Sequence, residues 1–461
     1  MMNSSTIEKI IQIHKQDCNQ LNVVISKSKR IIVEAPAGCG KTTTMVSKIA
    51  YMIANNDIPC NKKILGLTFS VNAAFKMKKE LQEKLPIYGI EQISKPSDIN
   101  KYIIITNYHG FARQILKKYG YLICDKLRDI YDFDVVDDNC KDLSRYLQDC
   151  EIQSLSQMQK FIQKCDYRNI DNYKTQYNDI IIKNLIDKNI ITFNGLIFLV
   201  TKLLHDNEEL TKFYNKLFNT IIIDEFQDTN YLNYIFLQKL IDSNTKLYLF
   251  GDSLQRIYGF IGAMGNIMEQ VKAKYSMEIN ELSKNYRFLN NKNMLLLDNN
   301  IRINIKAIMD NNQLVFNDKA NVKYVKLETP DMMNEWIKSK IEFLLHIDNQ
   351  SKIAILVQNR YGSINKITQY LQHNGIQYFH AIFNEDDPEY IEFHKSALEL
   401  FNSKVSNYKY RVVSKKFLIN YLESLREQFQ SMLNSETINS LLKLTYALCK
   451  KLVNEYKHFS Y

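Results

Sequence analysis

Two short stretches of the chain carry glycines, a lysine and carboxylates in patterns that suit phosphate chemistry. The first is APAGCGKTTT at 35–44, which directly follows an apolar run. Its glycines allow backbone N–H groups to close around phosphate oxygens, while Lys41 is expected to reach the terminal phosphates and the Thr42 hydroxyl to bind Mg²⁺. Ala35 stands where the usual pattern has glycine. The predicted phosphate-binding residues are Ala35, Pro36, Ala37, Gly38, Cys39, Gly40, Lys41, Thr42 and Thr43.

The second stretch, TIIIDEFQD at 220–228, places an acidic pair directly after an apolar run. Beside a phosphate loop, Asp224 is suited to hold Mg²⁺ through water, and Glu225 to orient and deprotonate an attacking water. Taken alone, an acidic pair after a strand is more often a helix N-cap. Together the two stretches predict a phosphoryl-transfer site that uses Mg²⁺, with Thr42 and Asp224 as the metal-binding residues.

Five short apolar runs are predicted to form the sheet that positions these residues. Each run is rich in β-branched residues and nearly continuous, which is typical of a parallel strand buried on both faces. Amphipathic helical stretches separate the runs, and this rhythm predicts a doubly wound α/β fold. The runs are Arg30–Glu34, Lys63–Phe69, Tyr102–Thr106, Thr220–Asp224 and Lys246–Phe250.

The remaining sequence divides into three further regions. Between about 113 and 215 helical patterns dominate, and an inserted helical subdomain is predicted. A second α/β unit is predicted from about 288, with strands at Val322–Leu327 and Ile353–Val357 and a helix that ends at Gly375. The tail, 385–461, has a helical and polar pattern.

Composition and charge limit the classes of protein. The 461 residues are 45% hydrophobic and 24% charged, and no stretch approaches the roughly 20 apolar residues of a membrane span. The N-terminus lacks the pattern of a signal peptide, so we expect a cytoplasmic protein of about two to four domains with no membrane partner. Eight scattered cysteines without C-x-x-C spacing favour free thiols over zinc. The net charge of +10 suits a polyanionic partner, although a solvated lysine-rich surface explains it equally well.

Several ordered strings resemble motifs of the UvrD/Rep/PcrA family of superfamily 1 DNA helicases. They include DEFQD, GDSLQRIYGFIGA at 251–263, LSKNYRF at 282–288, LGLTFSVNAA at 65–74 and TNYHGFARQIL at 106–116, and the similarity runs from about 16 to 380. The resemblance implies a P-loop NTPase with RecA-like parallel sheets. The implied domains are a first RecA-like domain at 1–112 and 216–287, an inserted helical subdomain at 113–215, an incomplete second RecA-like domain at 288–384 and a helical tail at 385–461.

The resemblance also implies roles for individual residues. Gln20 would read adenine, Tyr286 would stack on adenine, Gln255 would sense the γ-phosphate and Arg287 would contact it. The strand-binding residues would be aromatic platforms, because bases stack on them with little sequence preference. At the matching motif positions stand Phe69, Tyr108, His109, Tyr258 and Phe260, while Val71 and Asn72 replace an Asn-Lys pair of the family, which implies weaker DNA contact.

Two motifs of the family are missing after residue 380: one like T-x-H-x-x-K-G-L-E, and one like V-A-x-T-R-A whose arginine completes the ATP site. Three explanations stay open: a fragment of a longer helicase, completion by a second polypeptide, or a degenerate nucleotide switch. The compact insertion and short tail resemble the small UvrD-like subunits of anti-phage defence systems such as Gabija.

The leading hypothesis is an ATP-dependent DNA helicase or translocase of 3′-to-5′ type, whose polarity comes from the resemblance. It would act on single-stranded DNA or on junctions of single and double strands, with a nuclease or a second helicase subunit as a partner. The rival hypothesis is a non-translocating adaptor that senses ATP and DNA and regulates a partner nuclease. A scaffold with an inactive loop ranks third, because the predicted catalytic residues are all present: Asp224, Glu225, Gln255 and Arg287.

Overall fold

The computed structural model describes residues 4–90, 96–309, 325–350, 352–357 and 363–378, together with Glu423. The chain divides into two compact units, Met1–Lys323 and Tyr324–Tyr461. Apart from Glu423, the predicted tail at 385–461 lies outside the described residues, as do Val322 to Tyr324 of one predicted strand.

Eight strands and fifteen α-helices occur within the described residues. The strands are β1 Arg30–Glu34, β2 Ile64–Thr68, β3 Ile103–Asn107, β4 Asp134–Val136, β5 Ile190–Thr192, β6 Thr220–Ile223, β7 Lys246–Gly251 and β8 Glu278–Glu281. The helices are α1 Ser4–His14, α2 Cys18–Ile25, α3 Lys41–Ala54, α4 Val71–Ile87, α5 Pro96–Tyr102, α6 Tyr108–Tyr119, α7 Asp149–Gln163, α8 Tyr167–Ile180, α9 Phe193–Asp206, α10 Glu208–Leu217, α11 Tyr231–Lys239, α12 Ile267–Tyr275, α13 Lys292–Met309, α14 Pro330–Ile347 and α15 Ser363–His373.

Six strands form one parallel sheet in the order β3-β2-β6-β7-β1-β8. All five predicted strands are confirmed to within two residues at either end. The sequence analysis missed β8, because three of its four residues EINE are polar and it is mostly exposed at the edge of the sheet, where no continuous apolar run is needed. The confirmed parallel sheet with helices on both faces is the predicted α/β fold.

Alternate residues of each central strand supply two separate apolar cores. In β7, Leu247 and Leu249 belong to the core formed with α6, α9 and α11. Tyr248 and Phe250 belong to the opposite core, formed with α1, α2, α3 and α4. This alternation follows from the two-residue repeat of a strand, and it explains why the strand sequences are apolar at nearly every position.

The inserted region is mostly helical, as predicted, and it also contains the two-stranded parallel sheet of β4 and β5, which the sequence analysis did not predict. A buried polar group ties this region together, since the Tyr177 hydroxyl lies 2.5 Å from Asp138 and 2.6 Å from Thr192. Its apolar side chains continue into the α6–α9–α11 core. The predicted boundaries at 112/113 and 215/216 therefore stay predictions.

The second unit is described at two helices and short segments beside them. Ile341 of α14 packs with Ile367 and Leu371 of α15, and the predicted end of α15 at Gly375 is confirmed by a left-handed φ of 68°. The segment predicted as a strand, Ile353–Val357, forms no ladder with any described residue, so this strand stays a prediction. A strand requires such a partner, and an apolar run alone does not supply one.

The helix α13 belongs to the first compact unit, although the sequence analysis placed its residues in a second domain from 288. The boundary at 287/288 therefore also stays a prediction. In the described ranges no helix has both the length and the apolar character that crossing a bilayer would require.

We predict that Phe111→Ala destabilises the first unit by about 3 to 5 kcal/mol, the usual cost of removing a buried aromatic ring. Phe111 is 2% exposed, and its ring packs against Tyr214, Phe218 and Phe236. Urea denaturation followed by circular dichroism measures the change. The matched control is Phe213→Ala, whose ring is 48% exposed. Equal midpoints for the two variants would show that this core does not support the fold.

Candidate active site

The carboxyl edge of the sheet brings the two predicted phosphate-chemistry stretches together. In β1 the last residue pairs with Gly251 of β7, and the Ala35 N–H donates to the Gly251 carbonyl over 2.8 Å. From the neighbouring strand β6, the Asp224 N–H donates to the Leu67 carbonyl over 3.0 Å. The loops after β1, β6 and β7 therefore leave one edge side by side.

The loop after β1 has the backbone of a phosphate cradle. Gly38 and Gly40 have φ of +85° and +80°, which side chains with a Cβ rarely adopt. A Cβ on Gly40 would lie 2.3 Å from Nε2 of Gln20, so the space also requires glycine. Gly40 is the N-cap of α3, and the N–H groups of the first turn point out of the helix towards the loop.

Lys41 begins α3 and pairs with both predicted catalytic carboxylates. Its Nζ lies 3.2 Å from Asp224 and 2.5 Å from Glu225. Burial favours the neutral lysine, but the two carboxylates outweigh burial and raise the pKa of Lys41. Burial also acts against an ionised Glu225, yet the Lys41 ammonium lowers its pKa on balance. Both groups are therefore charged at neutral pH.

Glu225 and Gln227 link the acidic stretch to the loop after β7. Glu225 has a left-handed φ of 51°, a rare conformation for a residue with a side chain. Nε2 of Gln227 donates to the Glu225 carboxylate over 2.9 Å, and Oε1 of Gln227 accepts from the Asp252 N–H over 3.1 Å. The buried amide fixes the distance between the two loops. The sequence analysis did not assign this linking role to Gln227, although the position of Gln227 within DEFQD was a signal for it.

The residues predicted to bind the base also lie on the phosphate loop. Nε2 of Gln20 donates to the Cys39 carbonyl over 3.1 Å, and the Tyr286 N–H donates to the Gly38 carbonyl over 2.8 Å. The Tyr286 hydroxyl donates to Asp17 over 2.7 Å, while its ring is 43% exposed. The structure therefore leaves the ring accessible for stacking and anchors its hydroxyl end.

The remaining predicted loop residues have identifiable partners. The Pro36 carbonyl accepts from the Cys39 N–H, and the Ala37 carbonyl accepts from Nδ2 of Asn285 over 3.1 Å. Lys84 donates to the Thr43 hydroxyl over 3.1 Å, so this hydroxyl is turned towards α4. Burial raises the pKa of the Cys39 thiol to about 11, and the thiol is therefore protonated at neutral pH.

Gln255, predicted to sense the γ-phosphate, follows β7, and Arg287, predicted to contact it, follows β8. Gln255 ends a short 3₁₀ turn at Ser253–Gln255 and is partly buried, and its N–H donates to the Asp252 carbonyl over 2.9 Å. Arg287 is exposed, and a Cβ added to Gly38 would lie 2.7 Å from the Arg287 Cβ. Both predicted roles stay predictions.

The donor set suits magnesium. Thr42 and Asp224 would hold the ion, since a hydroxyl and a carboxylate are hard oxygen ligands and Mg²⁺ takes its other ligands from water and phosphate. The Lys41 ammonium already lies beside the Asp224 carboxylate, so a positive charge is accommodated there. Among the described residues no three His, Cys, Asp or Glu side chains form a closed metal cage, which Mg²⁺ does not require.

An ion pair that the sequence analysis did not predict joins α13 to this edge. The Arg302 guanidinium donates to both carboxylate oxygens of Asp252, over 3.2 and 2.6 Å. Asp298, one turn earlier in α13, also contacts the guanidinium. The side chain of Asp252 is 3% exposed, so this ion pair is largely shielded from water. Fifty residues separate Asp252 from Arg302, and local sequence gives no signal for the contact.

Three of the five predicted DNA-contacting aromatic residues form one surface cluster. Phe69 stacks on Tyr258 with ring centroids 4.4 Å apart, and Phe260 lies 6.2 Å beyond Tyr258. Phe260 is 71% exposed, which is unusual for a ring of this size. We call these three side chains the aromatic column.

The other two predicted DNA contacts differ from the column. His109 is partly buried with an edge-on contact to Phe193 at 5.3 Å, and burial lowers the pKa of His109 to about 4, which keeps it neutral. Tyr108 was predicted wrongly, because it is 2% exposed and packs in the α6 core. Its position on the inner face of α6 prevents its ring from stacking on a base.

Comparison with known proteins agrees with this geometry. The family model described as UvrD/REP helicase N-terminal domain matches residues 17–276. The chain is 29% identical over 358 residues to a "Probable DNA helicase II homolog" of Mycoplasma genitalium, covering 70% of this chain and 49% of that protein. It is 25% identical over 421 residues to "ATP-dependent DNA helicase Rep" of Buchnera aphidicola, covering 80% of this chain and 61% of that protein. The chain spans about half the length of the Mycoplasma relative.

We predict that Arg302→Leu destabilises the first unit by ~3 kcal/mol, because it leaves the buried Asp252 carboxylate without its partner. The double variant Asp252→Leu with Arg302→Leu should recover part of this loss, since no buried charge is then left unpaired. Chemical denaturation measures both. The control is Lys183→Ala in the exposed pair with Asp179, which should change little. An Arg302→Leu variant as stable as the control would contradict the assignment.

Proposed function

This chain belongs to the UvrD/REP helicase family through its N-terminal domain, and from that membership we propose that it is the ATP-binding part of an ATP-dependent DNA helicase or translocase. One observation carries the proposal: Lys41 of a glycine-containing phosphate loop lies between Asp224 and Glu225 at the edge of a parallel sheet. Two relatives are named as DNA helicases, which supports DNA as the substrate. The activity of the whole motor is part of the proposal.

The catalytic cycle follows from these contacts. The N–H groups of 38–41 bind the β- and γ-phosphates, and Lys41 moves its ammonium from the carboxylates to the phosphates. When bound, Mg²⁺ held by Thr42 and Asp224 draws negative charge from the phosphate oxygens. Glu225, freed from Lys41, orients a water molecule and accepts its proton. Gln255 and Arg287 contact the γ-phosphate from the neighbouring loops.

DNA would bind beside the ATP site at the aromatic column. Bases stack on aromatic rings with little sequence preference, which suits a protein that moves along a strand. The net charge of +10 favours association with the phosphate backbone. The 3′-to-5′ polarity, the junction substrate and a nuclease or second helicase subunit as partner remain parts of the proposal. The adaptor hypothesis gains no support from the relatives, whose names describe helicases.

We predict that Glu225→Gln keeps ATP binding but lowers turnover by about 10² to 10⁴, because the amide cannot accept the proton of water. ATP hydrolysis is measured with and without single-stranded DNA, and binding by calorimetry. Lys41→Ala should lose both binding and turnover. The matched control is Glu208→Gln in an exposed ion pair, which should behave as the parent chain does. Full activity in Glu225→Gln would exclude Glu225 as the base.

We predict that Phe260→Ala weakens binding of single-stranded DNA by about 1 to 3 kcal/mol, the value of one stacked base. ATP binding should be unchanged, because the Phe260 ring is 71% exposed and its ring contact is to Tyr258 of the aromatic column. Fluorescence anisotropy with a labelled oligodeoxythymidylate measures the effect. Phe213→Ala, on the inserted region, serves as the control. If both variants bind DNA equally well, the aromatic column is not the DNA site.

A further inference from the structure

A chain of buried hydrogen bonds runs from the end of α4 to the phosphate loop. The Tyr88 hydroxyl lies 2.9 Å from Ser47 Oγ, which lies 2.8 Å from Nε2 of His14. Nδ1 of His14 lies 2.8 Å from Oε1 of Gln20, and Nε2 of Gln20 donates to the Cys39 carbonyl over 3.1 Å. The side chains are 4% exposed or less. We call this chain the His14 relay.

The direction of every hydrogen bond in the His14 relay is determined by its last acceptor. A carbonyl only accepts, so the Gln20 amide nitrogen must face Cys39 and its oxygen must face His14. Nδ1 of His14 therefore carries the proton and donates to Gln20. The other nitrogen then accepts from Ser47, whose oxygen accepts from Tyr88.

The neutral imidazole suits this place. Burial lowers the pKa of His14, and a neutral ring is the form that donates at one nitrogen while it accepts at the other. The relay leaves one hydrogen of the Gln20 amide unassigned, because the amide nitrogen has two and Cys39 takes one. Nε2 lies directly above the phosphate loop, since it would touch a Cβ on Gly40. A donor is thus aimed at the space beside the loop.

We propose that His14 is a positioning residue that holds the Gln20 amide with its N–H donor towards the base of a bound nucleotide. This inference rests on the proposed ATP site. Purines present N7 as an acceptor on the edge that a glutamine amide reads, whereas pyrimidines have no such atom. The relay therefore selects purine nucleotides and acts through Gln20. His14 precedes the matched family region at 17–276.

A merely structural role for His14 predicts a different result. If the His14 ring only packs α1 against α3, its loss should weaken the binding of every ligand of the phosphate loop by the same factor. If it positions Gln20, its loss should affect ligands that carry a purine and leave the bare phosphate chain unaffected. Inorganic tripolyphosphate is the probe for that second case, because it can occupy the phosphate loop without a base.

The experiment measures binding of ATP, CTP and tripolyphosphate to the full chain by calorimetry in four variants. We expect His14→Phe to weaken ATP binding roughly tenfold, which is about the value of one hydrogen bond. The affinities for CTP and tripolyphosphate should be unchanged. His14→Asn should restore most ATP affinity, because asparagine places an N–H donor near the position of Nδ1. Gln20→Ala should weaken ATP binding as much as the double variant Gln20→Ala with His14→Phe does. The reason is that His14 acts only through Gln20, so its loss adds nothing once the Gln20 side chain is gone.

The control for folding is Thr6→Val, also on α1, which removes a buried hydroxyl bonded to the Gly89 carbonyl but leaves the His14 relay intact. Its nucleotide binding should equal that of the parent chain. The inference is overturned if His14→Phe weakens tripolyphosphate as much as ATP, if it leaves ATP unchanged, or if its effect adds to that of Gln20→Ala. A parent chain that binds none of the three ligands would instead contradict the proposed function. If His14→Phe does not fold, Ser47→Ala replaces it. This variant should lose less ATP affinity than expected for His14→Phe, and its affinities for CTP and tripolyphosphate should be unchanged.

Discussion

The Lys41 ammonium between Asp224 and Glu225 is the interaction on which the site depends. The three side chains are exposed by 15%, 12% and 38%, and burial raises the pKa of the Asp224 carboxyl in spite of the ammonium beside it. In the proposed function, ATP phosphates compete for the same ammonium, so nucleotide binding is an exchange of ionic partners. The carboxylates that lose Lys41 then need a new cation, because an unpaired charge at such low exposure is unfavourable. Nucleotide and metal binding are therefore linked through one lysine, and neither is expected to be strong without the other.

The parallel sheet makes this meeting of charges possible, because three loops leave its carboxyl edge in fixed register. The loops themselves carry the unusual backbone. Glu225 holds a left-handed conformation that costs a residue with a side chain roughly 1 to 2 kcal/mol, and Gln227 braces it from two residues away. Strain of this kind persists only where the surroundings hold it, and it concentrates at functional sites. Strand β6, which ends two residues before Glu225, is fully buried, so the cost is confined to the turn that presents the carboxylate.

The sequence analysis predicted those elements whose residues stand next to one another in the chain. Continuous apolar runs identified the five buried strands. The glycines and the acidic pair identified two stretches that the fold brings together, and their role as an ATP site stays a prediction. The polar edge strand β8 and the pair of Arg302 with Asp252 were missed, because the first needs no apolar run and the second joins residues fifty positions apart. Tyr108 failed for a related reason: a motif gives the residue type, but the face of α6 that packs inwards decides whether a ring reaches solvent.

The segment between Asp252 and Met264 joins the two proposed binding surfaces. At its start Asp252 is held by Arg302 and by the Gln227 amide, and at its end the Met264 N–H donates to the Thr229 carbonyl over 3.0 Å. The residues between these anchors include Gln255, predicted to sense the γ-phosphate, and Tyr258, stacked on Phe69. Because this segment is fixed at Asp252 and Met264, the residues between these two anchors must accommodate any displacement of one of them. Gln255 and Tyr258 therefore belong to one segment that is anchored at both ends.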